Sequence, residues 1–212
     1  MSAAIVFYFD FSSPYAYFAS TRIDALAARY GRTVRWQPIL LPAIFQVTGG
    51  SPAPSVPIKG SYVMRDFERT AHEQGIAYRK PDQFPVLSIA PARAMQWIAA
   101  SAGEAAAVTF AKRCFKAYFS EGIDMCDPAQ LAVLAGEQGI AGDALLAGMQ
   151  SPAIKDGFKQ ANEQAIANGV FGAPFIIVDG EPFWGFDRFH QLEACLCRKA
   201  EGEAGFVWAK AG

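Results

Sequence analysis

The sequence predicts an α/β fold in which a βαβ unit at the front of the chain and a ββα unit at its end are separated by a large all-helical insertion. Three observations carry this prediction. Two strand-like runs flank a helical pattern between Ala4 and Ile39. From Ser61 to Asn168 the apolar residues recur at helical spacing, with no convincing strand. After Asn168 two short apolar runs bracket Asp179-Gly180, a dipeptide suited to the positive φ angles of a tight hairpin turn.

Ala4 to Asp10, rich in Phe, Tyr, Ile and Val, reads as a buried strand that stops at Ser12-Ser13-Pro14. Pro14 has no backbone donor and a φ pre-set for a helix, so it suits the first helical position and makes Ser13 the N-cap. The helix runs from Ser13 to Tyr30 and ends at Gly31. Thr33 to Ile39 alternates Val34 and Trp36 with polar neighbours and completes the βαβ unit. Leu41 to Pro57 holds Pro42, Gly49, Gly50, Pro52, Pro54 and Pro57, which predicts an irregular loop and a boundary.

Helices are then expected over Tyr62 to Gln74, Ala90 to Ala102, Glu104 to Phe119, Pro128 to Gln138 with Asp127 as cap, Gly142 to Gln150, and Ser151 to Asn168. Past the hairpin, Asp187 opens a last helix, Arg188 to Arg198, with Phe189, Leu192 and Leu196 facing inward. The tail ending in Phe206-Val207-Trp208 carries no clear pattern. Residues 1–41 and 169–212 are thus expected to form one domain, and residues 42–168 a helical domain inserted into it.

With 212 residues and 52% hydrophobic content, the chain can bury a core without disulfides or metals. Nineteen basic residues against 20 acidic ones give no charge excess to attract nucleic acid or an anionic membrane, and neither partner is expected. The start Met-Ser-Ala-Ala-Ile lacks a basic leader, and no stretch approaches the ~20 apolar residues of a membrane span, so a cytoplasmic protein is expected. Cys114, Cys126, Cys195 and Cys197 form no C-x-x-C pair and share no metal spacing with His72 or His190. Reduced thiols and no metal follow. On a helix Cys195 and Cys197 would also stand about 200° apart, too far round for easy pairing.

At Ser13 the residue types alone allow two roles. The serine caps a helix, or it also faces an anion drawn by free backbone N–H groups at the helix start. Two stretches far downstream bear on the choice. The βαβ…ββα order is that of a thioredoxin-like fold, and Ala173-Pro174 stands where that fold carries a cis-proline. Phe9-Asp10-Phe11-Ser12-Ser13-Pro14-Tyr15-Ala16-Tyr17, Gly169-Val170-Phe171-Gly172-Ala173-Pro174-Phe175 and Phe183-Trp184-Gly185-Phe186-Asp187-Arg188 together resemble the 2-hydroxychromene-2-carboxylate isomerase family, a relative of kappa-class glutathione transferases and DsbA-like oxidoreductases.

The resemblance implies glutathione as cofactor and a role for each matching residue. Ser13 matches the catalytic serine that faces the glutathione sulfur. Lys59, otherwise an ordinary solvated loop lysine, matches the residue that reaches the glycine carboxylate. Ala173 would pair with the cysteinyl backbone in strand fashion, with cis-Pro174 keeping that edge open. Phe186 by its backbone and Asp187 by its carboxylate would hold the γ-glutamyl end, although Asp187 also reads as a helix N-cap. Asp66 aligns with an acidic residue that reaches the neighbouring subunit's glutathione in kappa-class dimers; its alternative is a solvated helix face. Gly50 departs from the pattern, standing where kappa-class proteins carry a glutathione-binding asparagine.

Redox relatives start this helix with two cysteines, whereas the corresponding span here is Ser13-Pro14-Tyr15-Ala16, which excludes thiol-disulfide exchange by the protein at this point. The resemblance implies instead that glutathione thiolate adds to the enone formed by opening 2-hydroxychromene-2-carboxylate, allows rotation, and leaves to give trans-o-hydroxybenzylidenepyruvate. Tyr15, Tyr17, Trp36 and Trp97 are candidates to hold a flat aromatic substrate, or else core residues. The resemblance also implies a homodimer. Two alternatives stay open: a kappa-class-like glutathione transferase that releases a stable conjugate, and a non-enzymatic thioredoxin-like binding module.

Overall fold

The computed structural model describes residues 4–201. Its sheet has the order β2-β1-β3-β4, built from β1 (Ile5–Phe9), β2 (Val34–Pro38), β3 (Phe175–Val178) and β4 (Glu181–Trp184). β1 runs parallel to β2 and antiparallel to β3, which pairs with β4 as the expected hairpin. Asp179 and Gly180 take φ values of 50° and 90° in its two-residue turn.

The two-residue period of a strand sends alternate side chains to opposite faces. Phe7 and Phe9 face one side with Trp36, Ile176 and Phe183, in the large core cluster that continues into the helices that follow β2 in the chain. Tyr8 faces the other side with Phe175, Ile39, Ile44, Ala165 and Val170. Both faces are covered, which is why β1 reads as a continuous apolar run. Edge-to-face contacts between Trp36 and Phe7 and between Phe9 and Phe11 fix the aromatic core directly beneath the β1 end.

Several elements differ from expectation for local reasons. The single helix expected over residues 13–30 is two: α1 (Pro14–Ser20) and α2 (Ile23–Arg29). Ser20 and Thr21 turn their hydroxyls back onto the carbonyls of Tyr17 and Phe18, an alternative to the helical ladder where α1 stops. The expected loop from Leu41 to Pro57 contains α3 (Leu41–Thr48), because Pro42 sits in the first turn where its missing N–H has no partner to lose. Gly49, at φ 73°, ends that helix, and a short 3₁₀ turn, Ala53–Ser55, follows.

The next helix, α4 (Lys59–Gln74), begins three residues before the expected start, so Lys59 opens a helix rather than standing in a loop. Ahead of it Ile58 has φ 68° and ψ −51°, and Lys59 N donates to Pro57 O at 2.7 Å, the geometry of a positive-φ γ-turn. α5 (Ile89–Ala102), α6 (Glu104–Lys116), α7 (Pro128–Gly136), α8 (Gly142–Gly148) and α9 (Pro152–Ala167) follow the predicted order. α6 gives way to a π turn at Ala117–Glu121 where the helix was expected to run on to Phe119.

α10 (Phe189–Ala200) is preceded by a 3₁₀ turn, Phe186–Arg188. Asp187 therefore lies inside that turn and does not cap the helix, whose N-cap position is Arg188. The Phe206-Val207-Trp208 stretch lies outside the described residues. Among the described residues no helix is long and apolar enough to cross a membrane.

Candidate active site

The site is built where β1 turns into α1. Ser13, at φ −91° and ψ 115°, is the N-cap: its Oγ accepts from Ala16 N at 3.2 Å. The same hydroxyl donates to the Ala173 carbonyl at 3.2 Å. Strand β3 is thereby joined to the start of α1 across 160 residues of sequence. The Ala173–Pro174 peptide bond is cis, and Pro174 O accepts from Gly185 N at 3.0 Å, which brings the Phe186–Asp187 turn alongside.

A cavity of about 1620 Å³ opens here, and Ser13, Lys59, Ala173, Phe186 and Asp187 all line it. Pro174 is not on the wall. Such a volume exceeds the roughly 300–1,000 Å³ of an ordinary small-molecule pocket and leaves room for two ligands side by side. Lys59 is exposed, and no described carboxylate pairs with it. The Asp187 side chain is 72% exposed and lies 3.4 Å from Arg188. Its carboxylate folds over Gly185, where an added Cβ would come within 2.3 Å of Asp187 Oδ1.

Asp66 also lines the cavity: Tyr15 donates to Oδ2 at 2.5 Å and Arg69 pairs with Oδ1 at 3.3 Å. Burial, reinforced by that carboxylate, pushes the Tyr15 phenol far above its usual range and keeps it a neutral donor. Gly50 is on the wall too, and a Cβ there would meet the Phe45 ring at 2.6 Å, so a side chain at this position needs Phe45 to swing away.

Of the aromatics expected to hold a flat substrate, Tyr15 alone lines the cavity. Tyr17 is buried and donates to Ala77 O, Trp36 is buried in the sheet core and donates to Asp24, and Trp97 packs against Gly148. Other aromatic residues on the wall include Phe45, Phe84, Phe171 and Trp184. Phe171 and Trp184 meet edge to face at 5.0 Å, and the Trp184 indole occupies the space a side chain at Gly172 would need. Gly172 beside Phe171 was the available signal for that close approach.

Asp10 is a further residue of the site, and no local pattern in the sequence marks it. Its side chain is fully buried and accepts from Ser12 N, Ser12 Oγ, Ser88 Oγ and Leu41 N at 2.6–2.8 Å. None of the cysteines lines the cavity. Burial pushes the Cys126 thiol up to about 12 and the Cys195 thiol up to about 11, away from the thiolate form that attacks or exchanges. Any reactive thiol at Ser13 must therefore arrive with a ligand.

A family model for the DSBA-like thioredoxin domain matches residues 4–196. The 2-hydroxychromene-2-carboxylate isomerase of Sphingobium xenophagum is 35% identical over 202 residues, covering 92% of this chain and 99% of that protein. The chain belongs to the 2-hydroxychromene-2-carboxylate isomerase family of DSBA-like thioredoxin domains. A solved 2-hydroxychromene-2-carboxylate isomerase superposes with a TM-score of 0.83 at 29% identity, over 95% of this chain and 100% of the other. Kinship extends to glutathione S-transferase kappa 2 of Caenorhabditis elegans, 24% identical over 93% of each chain. The family's thioredoxin-like fold, with a four-stranded sheet and many helices, is the one described above.

Proposed function

We propose that this chain is a glutathione-dependent cis–trans isomerase of 2-hydroxychromene-2-carboxylate or a similar conjugated enone. The observation that carries the reading is the Ser13 hydroxyl on the wall of a single cavity that also reaches Lys59 and Asp187. α1 is seven residues long, so the hydroxyl matters more here than a helix dipole.

The residues present fit glutathione. Lys59 offers a cation to the glycine carboxylate, Ala173 offers its backbone to the cysteinyl unit, and Asp187 offers a carboxylate to the γ-glutamyl amine, with Phe186 beside it. Bound glutathione supplies a thiolate that adds reversibly to a conjugated carbon, so that a former double bond can rotate. Ser13 favours the charged form of the sulfur by turning its hydroxyl hydrogen toward it. Tyr15, held protonated, presents a neutral face. The aromatic side chains of Phe45, Phe84, Phe171 and Trp184 on the wall suit a flat acceptor.

The reading extends to a homodimer in a cytoplasmic, thiol-reducing setting. Light scattering is expected to give twice the 22.9 kDa chain mass, and a monomer at micromolar concentration would remove that part. The activity is tested by incubating the protein with glutathione and 2-hydroxychromene-2-carboxylate and analysing products. Trans-o-hydroxybenzylidenepyruvate with glutathione recovered is the expected outcome. A stable glutathione adduct would assign a kappa-class-like transferase instead. No product and no heat in a glutathione titration would leave a thioredoxin-like binding module.

A further inference from the structure

A carboxylate taken out of water is costly unless every lone pair is engaged, and Asp10 is 0% exposed. Four uncharged donors meet it, three at Oδ1 and one at Oδ2. Oδ1 takes Ser12 N at 2.7 Å, Ser12 Oγ at 2.8 Å and Ser88 Oγ at 2.6 Å, while Oδ2 takes Leu41 N at 2.7 Å. These donors come from three separate segments: the turn that carries Ser13, the first residue of α3, and the residue before α5. The backbone carbonyl of Asp10 adds a fifth link by accepting from Ser13 N at 3.0 Å.

Each segment contributes to the cavity. Ser12 and Ser13 come from the turn, Leu41 and Phe45 from α3, and Phe84 and Pro85 from the chain leading to Ser88. Ser88 stands at the N-cap of α5, makes no side-chain cap there, and donates its hydroxyl to Asp10. Leu41 N is one of the donors that a helix start leaves unpaired, so Oδ2 holds the beginning of α3 directly.

We infer that Asp10 is a positioning residue of this cavity: through Oδ2, beside the bond of Leu40 N to Asn162 Oδ1 at 2.7 Å, it sets where the α3 wall, with Leu41 and Phe45, stands relative to Ser13. The α3 link needs no particular ligand. Its effect on turnover rests on the isomerase reading.

Asp10→Asn keeps the shape and the three bonds at Oδ1 but turns an N–H group toward Leu41 N–H. Amide exchange at Ala43 and Ile44 is expected to quicken at least tenfold while the β1 amides stay protected, and the KM for the chromene to rise about fivefold or more, with a smaller change in kcat. A merely structural role predicts the reverse: exchange raised alike in β1 and α3, lower thermal stability, and an unchanged KM for the folded fraction. That result overturns the inference. Should Asp10→Asn not fold, Leu41→Pro is compared with Leu41→Ala, since both lose the side chain and Pro alone removes the N–H, at a helix position where Pro is favourable. Faster exchange at Ala43 and Ile44 in the Pro variant than in the Ala variant supports the link, and equal exchange overturns it. If the wild type turns over no chromene, the isomerase reading fails, and the exchange measurements still decide the role of Asp10.

Discussion

The Ser13 hydroxyl gives its hydrogen to the Ala173 carbonyl at 3.2 Å while its oxygen accepts from Ala16 N. One side chain therefore caps α1 and ties it to the start of β3. To hold a thiolate it must turn that hydrogen away from Ala173, whose carbonyl then needs another donor; a cysteinyl N–H in strand-like pairing supplies one. Ser13→Ala is expected to lower stability by about 0.5–2 kcal/mol through loss of the cap. It is also expected to raise the pKa of bound glutathione and cut kcat at neutral pH about tenfold, one pKa unit corresponding to about 1.4 kcal/mol. Thiolate absorbance near ~240 nm, followed against pH, measures the shift. Unchanged thiol pKa and turnover would return Ser13 to capping alone.

Lys59 opens α4, where the helix dipole disfavours a cation, and no described carboxylate compensates it. Lys59→Ala is therefore expected to leave stability within about 0.5 kcal/mol of wild type. Loss of a charge-assisted hydrogen bond to the glycine carboxylate is expected to weaken glutathione binding by about 1–3 kcal/mol. Calorimetric titration of both proteins checks this. Equal affinities would make Lys59 an ordinary surface lysine.

Sequence signals were strong where local chemistry decides. The two short apolar runs of β3 and β4 and the Asp179-Gly180 turn between them lie within a few residues of one another, and the hairpin was legible. α3 was hidden because Pro and Gly mark loops on average, whereas Pro42 lies in the first turn and Gly49 just past the last residue, where neither opposes a helix. The break after α1 depends on Ser20 and Thr21 choosing backbone carbonyls, which no period reveals.

For the site, the order of motifs brought Ser13, Ala173, Phe186 and Asp187 to one cavity. The Asp10 links to Leu41 and Ser88 span 31 and 78 residues, and they exist only once the fold places those donors together. Tyr17 and Trp36 illustrate the converse, since both are aromatic residues expected at the site that the fold puts into the core, while Phe171 and Trp184, inside the downstream motifs, reach the wall.

Asp179 takes a bidentate bond from Arg32, at 3.1 and 2.7 Å, with Lys199 at 3.5 Å, tying the hairpin tip to the chain before β2 and to α10. The Arg32 hydrogen bond is the largest cause that holds its carboxyl below the usual range. A depressed folded-state pKa gives stability that is present above the unfolded value and lost as pH falls through the folded one. Asp179→Asn keeps a residue tolerant of the positive φ and is expected to cost up to about 1 kcal/mol at neutral pH, since the pair is partly solvated. Urea denaturation of both proteins should show that gap closing as pH drops below about 4, the range in which a free aspartate protonates. A gap independent of pH would mean that the turn, and not the charge, accounts for it.

Gly185 joins β4 to the Phe186–Arg188 turn. At φ 103° it holds a backbone region that L side chains rarely adopt, its N–H is bound to Pro174 O, and an added Cβ would collide with Asp187 Oδ1. Gly185→Ala must therefore push the Asp187 carboxylate outward as well as strain the turn. Strain alone is expected to cost about 1–3 kcal/mol of stability. Displacement of Asp187 is expected in addition to weaken glutathione binding about tenfold or more, matching Asp187→Ala, which leaves Gly185 untouched. The two variants should then lose affinity together while only Gly185→Ala loses stability. If Gly185→Ala is destabilised yet binds glutathione like the wild type, the Asp187 carboxylate does not hold the γ-glutamyl amine, and that end of the ligand must be assigned to other residues of the cavity.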